Sequence, residues 1–134
     1  MARAVALARS GAGATGGNPS VGCVLVRDGS ILAEAATAPG GRPHAEEQAL
    51  DGVDARGAVA YVTLEPCAQR STGGIACTDR LIAAGVERVV LGAPDPSRYA
   101  GGAGPERLAT AGVEVRRGVL DAECAALLVG YEPA

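Results

Sequence analysis

Four residues of the sequence have the types and spacing of a metal-assisted reaction. His44, the only histidine of the 134-residue chain, is followed two positions later by Glu46. Cys67 comes 21 positions after Glu46, and Cys77 lies ten positions beyond Cys67. Histidine and cysteine are ligands that suit Zn²⁺, and a zinc ion with three protein ligands keeps a fourth position for water. The pattern predicts a catalytic zinc site of His44, Cys67 and Cys77, with Glu46 placed to move a proton of that water.

Each of these residues also has an ordinary structural interpretation. A lone histidine before a helix is often a cap or a surface residue, and four cysteines could be buried thiols or two disulfides. A structural zinc site would normally be closed by a fourth protein ligand, which Cys23 or Cys124 would have to supply. We interpret Cys23 and Cys124 as packed core thiols instead. Pro43 and Pro66 each precede one of the predicted ligands, and this paired motif favours catalytic zinc.

The composition limits the class of protein. The length predicts a single domain over residues 1–134, with a core of Ala, Val, Leu and Ile because the chain has no Trp and no Phe. The absence of lysine excludes Schiff-base chemistry. A net charge of −3 without a basic stripe argues against a nucleic-acid partner. No apolar run approaches the ~20 residues of a membrane span, and the apolar stretch at 4–8 is too short for a signal peptide. We therefore expect a cytoplasmic location, with free or metal-bound thiols.

Helices and strands alternate along most of the chain, which indicates an α/β fold. Because a helix connects the last two strands, they should run parallel through a right-handed crossover. Apolar periodicity and turn residues predict helices over 2–10, 44–50, 77–84, 105–111 and 121–129, and strands over 21–26, 30–36, 59–63, 88–91 and 113–116.

The predicted ligands fall where strands give way to helices, at the edge where α/β sheets bind substrates. His44 and Glu46 are about 200° apart around a helix, so they cannot share its side face. Both can serve a site that lies over the helix end, and we expect that arrangement. The neighbouring Glu47 should point elsewhere on the helix.

Several stretches of the sequence resemble one known family, the riboflavin-pathway deaminases, and specifically the deaminase domain of the bifunctional diaminohydroxyphosphoribosylaminopyrimidine deaminase/reductases. The resemblance runs from about residue 4 to residue 130. Nine residues separate the two cysteine ligands. The riboflavin branch typically has eight there, whereas cytidine, guanine and tRNA-adenosine deaminases have two. The matching stretches are Asn-Pro-Ser-Val-Gly-Cys at 18–23, Gly-Arg-Pro-His-Ala-Glu at 41–46, Tyr-Val-Thr-Leu-Glu-Pro-Cys at 61–67, Leu-Ile-Ala-Ala-Gly-Val at 81–86 and Asp-Pro at 95–96.

The resemblance implies a three-layer α/β/α cytidine deaminase-like fold with a five-stranded mixed sheet. It also implies that Zn²⁺ activates water at the three predicted ligands, and that Glu46 passes a proton to the ring nitrogen and then to the departing ammonia. The implied substrate is a small amino-pyrimidine, 2,5-diamino-6-(ribosylamino)pyrimidin-4(3H)-one 5′-phosphate. The implied substrate contacts are Asn18, the backbone of Ala45, Gln69 in place of a family histidine, and Asp95; Asn18 and Asp95 could equally be turn residues, since both precede proline. Arg42, Arg70 and Arg98 are the arginines available for the phosphate.

Two loops depart from the family pattern. Residues 68–76 replace a stretch that usually begins Ser-His, and Ser97-Arg98 replaces Asn-Pro. Both loops should face the substrate, so a deaminase of a different amino-pyrimidine, a pterin or a purine stays open as an alternative. A non-catalytic zinc module is a further alternative. A nucleic-acid editor is disfavoured because the chain lacks a basic groove and aromatic residues to hold a flipped base. Family members self-associate, which implies a homo-oligomer, most simply a dimer.

Overall fold

The computed structural model describes residues 1–70 and 73–132, and these contain five helices and five strands. Every predicted element is present, with each boundary within three residues of the prediction. Among the described residues, no helix has the length and apolar character needed to cross a bilayer. In chain order the elements are α1 (Ala2–Gly11), β1 (Gly22–Arg27), β2 (Ser30–Ala36), α2 (Ala45–Leu50), β3 (Val59–Leu64), α3 (Cys77–Ala83), β4 (Arg88–Ala93), α4 (Ala103–Thr110), β5 (Glu114–Arg116) and α5 (Asp121–Ala126).

The five strands form one mixed sheet in the order β2-β1-β3-β4-β5. Strand β1 pairs antiparallel with β2 and with β3. Strands β3, β4 and β5 run parallel, so the predicted parallel pairing of the last two strands is confirmed. The carboxyl ends of β3 and β4 therefore meet at one edge of the sheet, with Leu64 beside Ala93.

Helices cover both sides of the sheet, which confirms the predicted three-layer α/β/α arrangement. Helix α1 packs against β1, β2 and β3, and α5 packs against β4. Helix α2 contacts α3, which in turn contacts α4. The largest fully buried apolar side chains are leucines and valines, such as Leu25, Leu81 and Val62. Helix α1 approaches the sheet closely, because a Cβ atom added at Gly22 would lie 1.9 Å from the Ala4 carbonyl oxygen.

Strand β4 is two residues longer than predicted, because Gly92 belongs to the strand and not to the following loop. A Cβ atom at position 92 would lie 2.2 Å from Cys124 Sγ and 2.6 Å from the Thr63 carbonyl oxygen. Glycine is therefore the residue that lets α5 pack against β4 at this point. The extra length brings Ala93 to the site edge, where its carbonyl oxygen accepts a hydrogen bond from the Glu65 N–H at 3.0 Å.

Candidate metal centre and active site

Three separate segments bring the predicted metal ligands together. His44 immediately precedes α2, Cys67 lies just beyond the end of β3, and Cys77 is the first residue of α3. The His44 Nδ1 atom lies 3.4 Å from Cys77 Sγ, and the Cys77 N–H donates to Cys67 Sγ at 3.3 Å. One ligand atom from each of the three residues lies within 4.8 Å of the other two. The structure thus assembles the predicted triad of donors.

The start of α2 differs from the prediction by one residue. His44 has an extended backbone, with φ −67° and ψ 161°, so it caps the helix and Ala45 is the first helical residue. The His44 N–H donates to Glu47 Oε2 at 2.7 Å. A glutamate three residues after the cap commonly bonds back to the cap N–H in this way. Glu47 is not part of the cavity wall, in keeping with the expectation that it points elsewhere on the helix, but its carboxylate is bonded to the segment of a metal ligand.

The donor set fits Zn²⁺, because one imidazole and two thiols form a compact group of the kind that this metal prefers. The hydrogen bond between the two thiols lowers the pKa of Cys67 to about 4, and the thiolate is the form that binds metal. Neither Cys23 nor Cys124 belongs to the group; Cys23 is fully buried in β1 and Cys124 is buried beside β4. Within the part of the chain that the structure describes, the group offers three protein ligands, the number typical of catalytic zinc.

Glu46 shares a cavity with the metal ligands. The cavity has a volume of about 210 Å³, and His44, Glu46 and Cys67 all contribute to its wall. Only 4% of Glu46 is exposed. This burial raises the pKa of Glu46 to about 7, although the nearby His44 opposes the shift. A carboxyl group with a pKa near 7 can both accept and donate a proton at neutral pH.

Four predicted substrate contacts line the same cavity: Asn18, Gln69, Arg70 and Asp95. Asn18 Nδ2 donates to the Gly41 carbonyl oxygen at 2.9 Å, and Asp95 Oδ1 accepts from the Ser97 N–H at 2.8 Å. Asn18 and Asp95 are therefore bonded to loop backbone and also face the cavity. Their contact with substrate stays a prediction.

The other predicted contacts are placed differently. Arg98 is exposed and is not part of the cavity wall; its Nη2 donates to Tyr99 Oη at 3.0 Å. Ala45 is fully buried in the first turn of α2. Arg70 lines the cavity, but its two Nη atoms donate to the Glu47 carboxylate at 2.5 and 3.1 Å. Its guanidinium is therefore already paired, whereas a phosphate contact was expected. Ser71 and Thr72 of the predicted specificity loop lie outside the described residues.

Further cavity residues were not predicted from the sequence. Glu65 lines the cavity and is 5% exposed, and its Oε2 accepts a hydrogen bond from the Gly102 N–H at 2.9 Å. Its place directly before Pro66 and Cys67 was the signal that could have identified it. Tyr131 also lines the cavity, yet it lies far along the chain from every motif, and nothing in its local sequence marks it.

Comparison with known proteins assigns the family. Residues 1–93, which include all three metal ligands and Glu46, match the model of the cytidine and deoxycytidylate deaminase zinc-binding region. The chain is 47% identical over 133 residues to the riboflavin biosynthesis protein RibD of Escherichia coli, covering 98% of this chain and 36% of that protein. A solved structure of Acinetobacter baumannii RibD superposes with a TM-score of 0.91 at 41% identity, covering 98% of this chain and 37% of the other.

The chain thus spans about a third of the length of the RibD relatives that it matches. It covers 84% of a shorter relative, the diaminohydroxyphosphoribosylamino-pyrimidine deaminase of Buchnera aphidicola, which is 36% identical over 125 residues. The match therefore falls on a deaminase unit. The chain therefore belongs to the cytidine and deoxycytidylate deaminase zinc-binding family, and the relatives that it matches are riboflavin biosynthesis proteins.

Proposed function

We propose that the chain hydrolyses the amino group of 2,5-diamino-6-(ribosylamino)pyrimidin-4(3H)-one 5′-phosphate and releases ammonia. The observation that carries this proposal is the shared cavity, in which a buried carboxyl group, Glu46, faces the same space as the metal donors His44 and Cys67. The similarity to the Buchnera deaminase supports this choice of substrate.

His44, Cys67 and Cys77 would hold the metal. When bound there, zinc supplies a Lewis acid that makes a water reactive at neutral pH. Glu46 accepts a proton from the attacking water and donates it to the ring nitrogen, and a second transfer through Glu46 reaches the departing amino group. Its buried position and a pKa of about 7 suit both directions of transfer. Overall, one C–N bond is replaced by a C–O bond, and water and substrate give the ring carbonyl and ammonia.

We assign polar residues of the cavity wall to the ribose and the base. Asp95 and Tyr131 line the cavity. Such carboxylate and hydroxyl groups can bond to sugar hydroxyls. We assign the phosphate to Arg42, because it lines the cavity whereas Arg98 lies outside it. The assignment uses the two-pronged fork with which arginine binds phosphate.

Another amino-heterocycle is the second candidate substrate, and Gln69 is the observation that favours it. Gln69 stands where the family resemblance places a histidine, and it lines the cavity. A neutral amide offers both donors and an acceptor, so it can select a ring with a different arrangement of hydrogen-bonding groups.

A second copy of the chain as partner, and a cytoplasmic location, stay predictions. The exposed side chains of Val129 and Leu120 near α5 support self-association.

A panel of substrates tests the proposal by ammonia release from the zinc-loaded chain. The panel contains the proposed diaminopyrimidine phosphate, its dephosphorylated form, cytidine, guanine and an amino-pterin. We expect the highest kcat/KM for the diaminopyrimidine phosphate. A higher value for another ring would replace the substrate, and no ammonia from any compound would favour the non-catalytic zinc module.

A further inference from the structure

A cluster of charged side chains joins the three segments that carry the metal ligands. Glu47 is its centre: Oε1 accepts from Arg70 Nη1 at 2.5 Å, and Oε2 accepts from Arg70 Nη2 at 3.1 Å. Arg80 Nη2 lies 3.3 Å from Glu47 Oε1. We call Glu47, Arg70 and Arg80 the Glu47 cluster. Nothing in the proposed reaction uses these three side chains.

The position of each member along the chain is the informative feature. Glu47 lies three residues after the ligand His44. Likewise, Arg70 lies three residues after the ligand Cys67, and Arg80 lies three residues after the ligand Cys77. Each of the three segments that supplies a metal ligand therefore also supplies one member of the cluster. The ion pairs join the same three segments that the metal joins.

The cluster is also bonded to the ligand segments through their backbone. Glu47 Oε2 accepts the His44 N–H at 2.7 Å, so the carboxylate that pairs with Arg70 also fixes the cap residue whose ring binds the metal. Arg70 Nη1 donates to the Ile75 carbonyl oxygen at 3.2 Å, which ties the later part of the interval between the cysteines to its beginning. Movement of the Glu47 segment would break its contacts to both other segments.

The central pair is shielded from solvent, unlike an ordinary surface ion pair. The side chain of Arg70 is 7% exposed and that of Glu47 is 14% exposed. Exposed ion pairs contribute little to stability. Removal of one partner of a buried pair is more costly, because it leaves a charge without a partner where water has little access. A change at either residue should therefore disturb the local geometry and not merely the surface charge.

We propose that Glu47 and Arg70, with Arg80, are positioning residues that hold the three ligand segments at the spacing that zinc requires. This inference rests on the zinc site of the proposed function, but not on the identity of the substrate. Outer partners that orient metal ligands typically change metal affinity by about 10–100-fold when they are replaced. The cluster is thus expected to set the zinc affinity of the chain.

The test measures the zinc dissociation constant of the full chain by competition with a chromogenic chelator. Glu47→Gln keeps the size of the side chain and removes its charge, and Arg70→Gln replaces the guanidinium by a neutral amide; each should weaken zinc binding by about 10-fold or more. The visible spectrum of the Co²⁺-substituted variants should shift, because the ligand geometry changes. Asp54→Asn is the matched control, since Asp54 pairs with Arg56 in an exposed ion pair of 54% and 81% side-chain exposure. It should leave zinc affinity and the Co²⁺ spectrum unchanged.

The double variant Glu47→Gln/Arg70→Gln measures whether the two side chains act together on zinc affinity. It should weaken zinc binding by less than the product of the two single effects, because each single change leaves a charge without its partner. Lower melting temperatures with unchanged zinc affinity and Co²⁺ spectra would overturn the proposal and leave an ordinary structural ion pair. Unchanged zinc affinity with a raised KM for phosphorylated substrate alone would instead make Arg70 a phosphate ligand. The test measures metal binding directly, so its result does not depend on whether the proposed deaminase activity is correct.

Discussion

The Nδ1 atom of His44 lies 3.4 Å from Cys77 Sγ, although 33 positions separate the two residues in the chain. The contact exists because α2 and α3 pack side by side and both begin at the same edge of the sheet. Cys67 joins them from the end of β3. A metal site built from three such segments depends on the whole fold, so loss of metal in a variant must be compared with its stability.

Replacement of the cysteine ligands should remove the metal. We expect Cys67→Ser and Cys77→Ser to lose most of the bound zinc in elemental analysis, because a hydroxyl is a much poorer zinc ligand than a thiolate. Cys23→Ser and Cys124→Ser are the controls. Both thiols are buried outside the donor group, so these variants should retain zinc even where they lower stability. Wild-type zinc content in both ligand variants would refute the assignment.

The proposed phosphate contact distinguishes Arg42 from Arg98, which could not be distinguished from the sequence alone. Arg42→Ala should raise KM for the phosphorylated substrate by about 10-fold or more, the usual effect of a lost charge-assisted hydrogen bond. Arg98→Ala should leave KM nearly unchanged, since Arg98 is exposed and bonded to Tyr99. Steady-state kinetics with the phosphorylated and dephosphorylated substrates distinguish these cases. An equal effect of Arg42→Ala on both substrates would show that Arg42 does not bind the phosphate.

The packing of α1 on the sheet predicts an unusually costly glycine substitution. A side chain at Gly22 would collide with the Ala4 carbonyl oxygen, so Gly22→Ala should lower the free energy of unfolding by about 1–3 kcal/mol or more. Gly17→Ala is the control, because no heavy atom lies within 4 Å of a Cβ atom built there. Urea unfolding of both variants checks the difference. Equal stabilities would mean that α1 does not press on β1 at this position.

The sequence was informative wherever residue type alone limits the chemistry. His44 and the two cysteine ligands could be identified because few side chains bind zinc and their spacing is distinctive. The parallel pairing of β4 and β5 followed from a helical connection between them. Both outcomes depend on local patterns, which a single sequence contains.

Contacts between distant segments could not be predicted in the same way. Gly92 resembled the start of a loop because glycine is common there. Its actual role depends on Cys124 of α5, which only the folded chain brings next to it. Glu47 was expected only to point elsewhere on the helix than Glu46, and its ion pair with Arg70 spans 23 positions of chain that no local pattern connects. Tyr131 reaches the cavity from beyond α5 for the same reason.

The central claim is that Glu46 transfers the protons of a zinc-dependent deamination, and Glu46→Gln tests it most directly. Glutamine keeps the size of the side chain but cannot shuttle a proton, so kcat for ammonia release should fall by about 10²–10⁴-fold. Zinc content by elemental analysis and the free energy of unfolding should match those of the wild type. Glu123→Gln, an exposed change on α5, should leave all three quantities unchanged. If Glu46→Gln retained zinc and released ammonia at the wild-type rate, the proposed mechanism would be wrong.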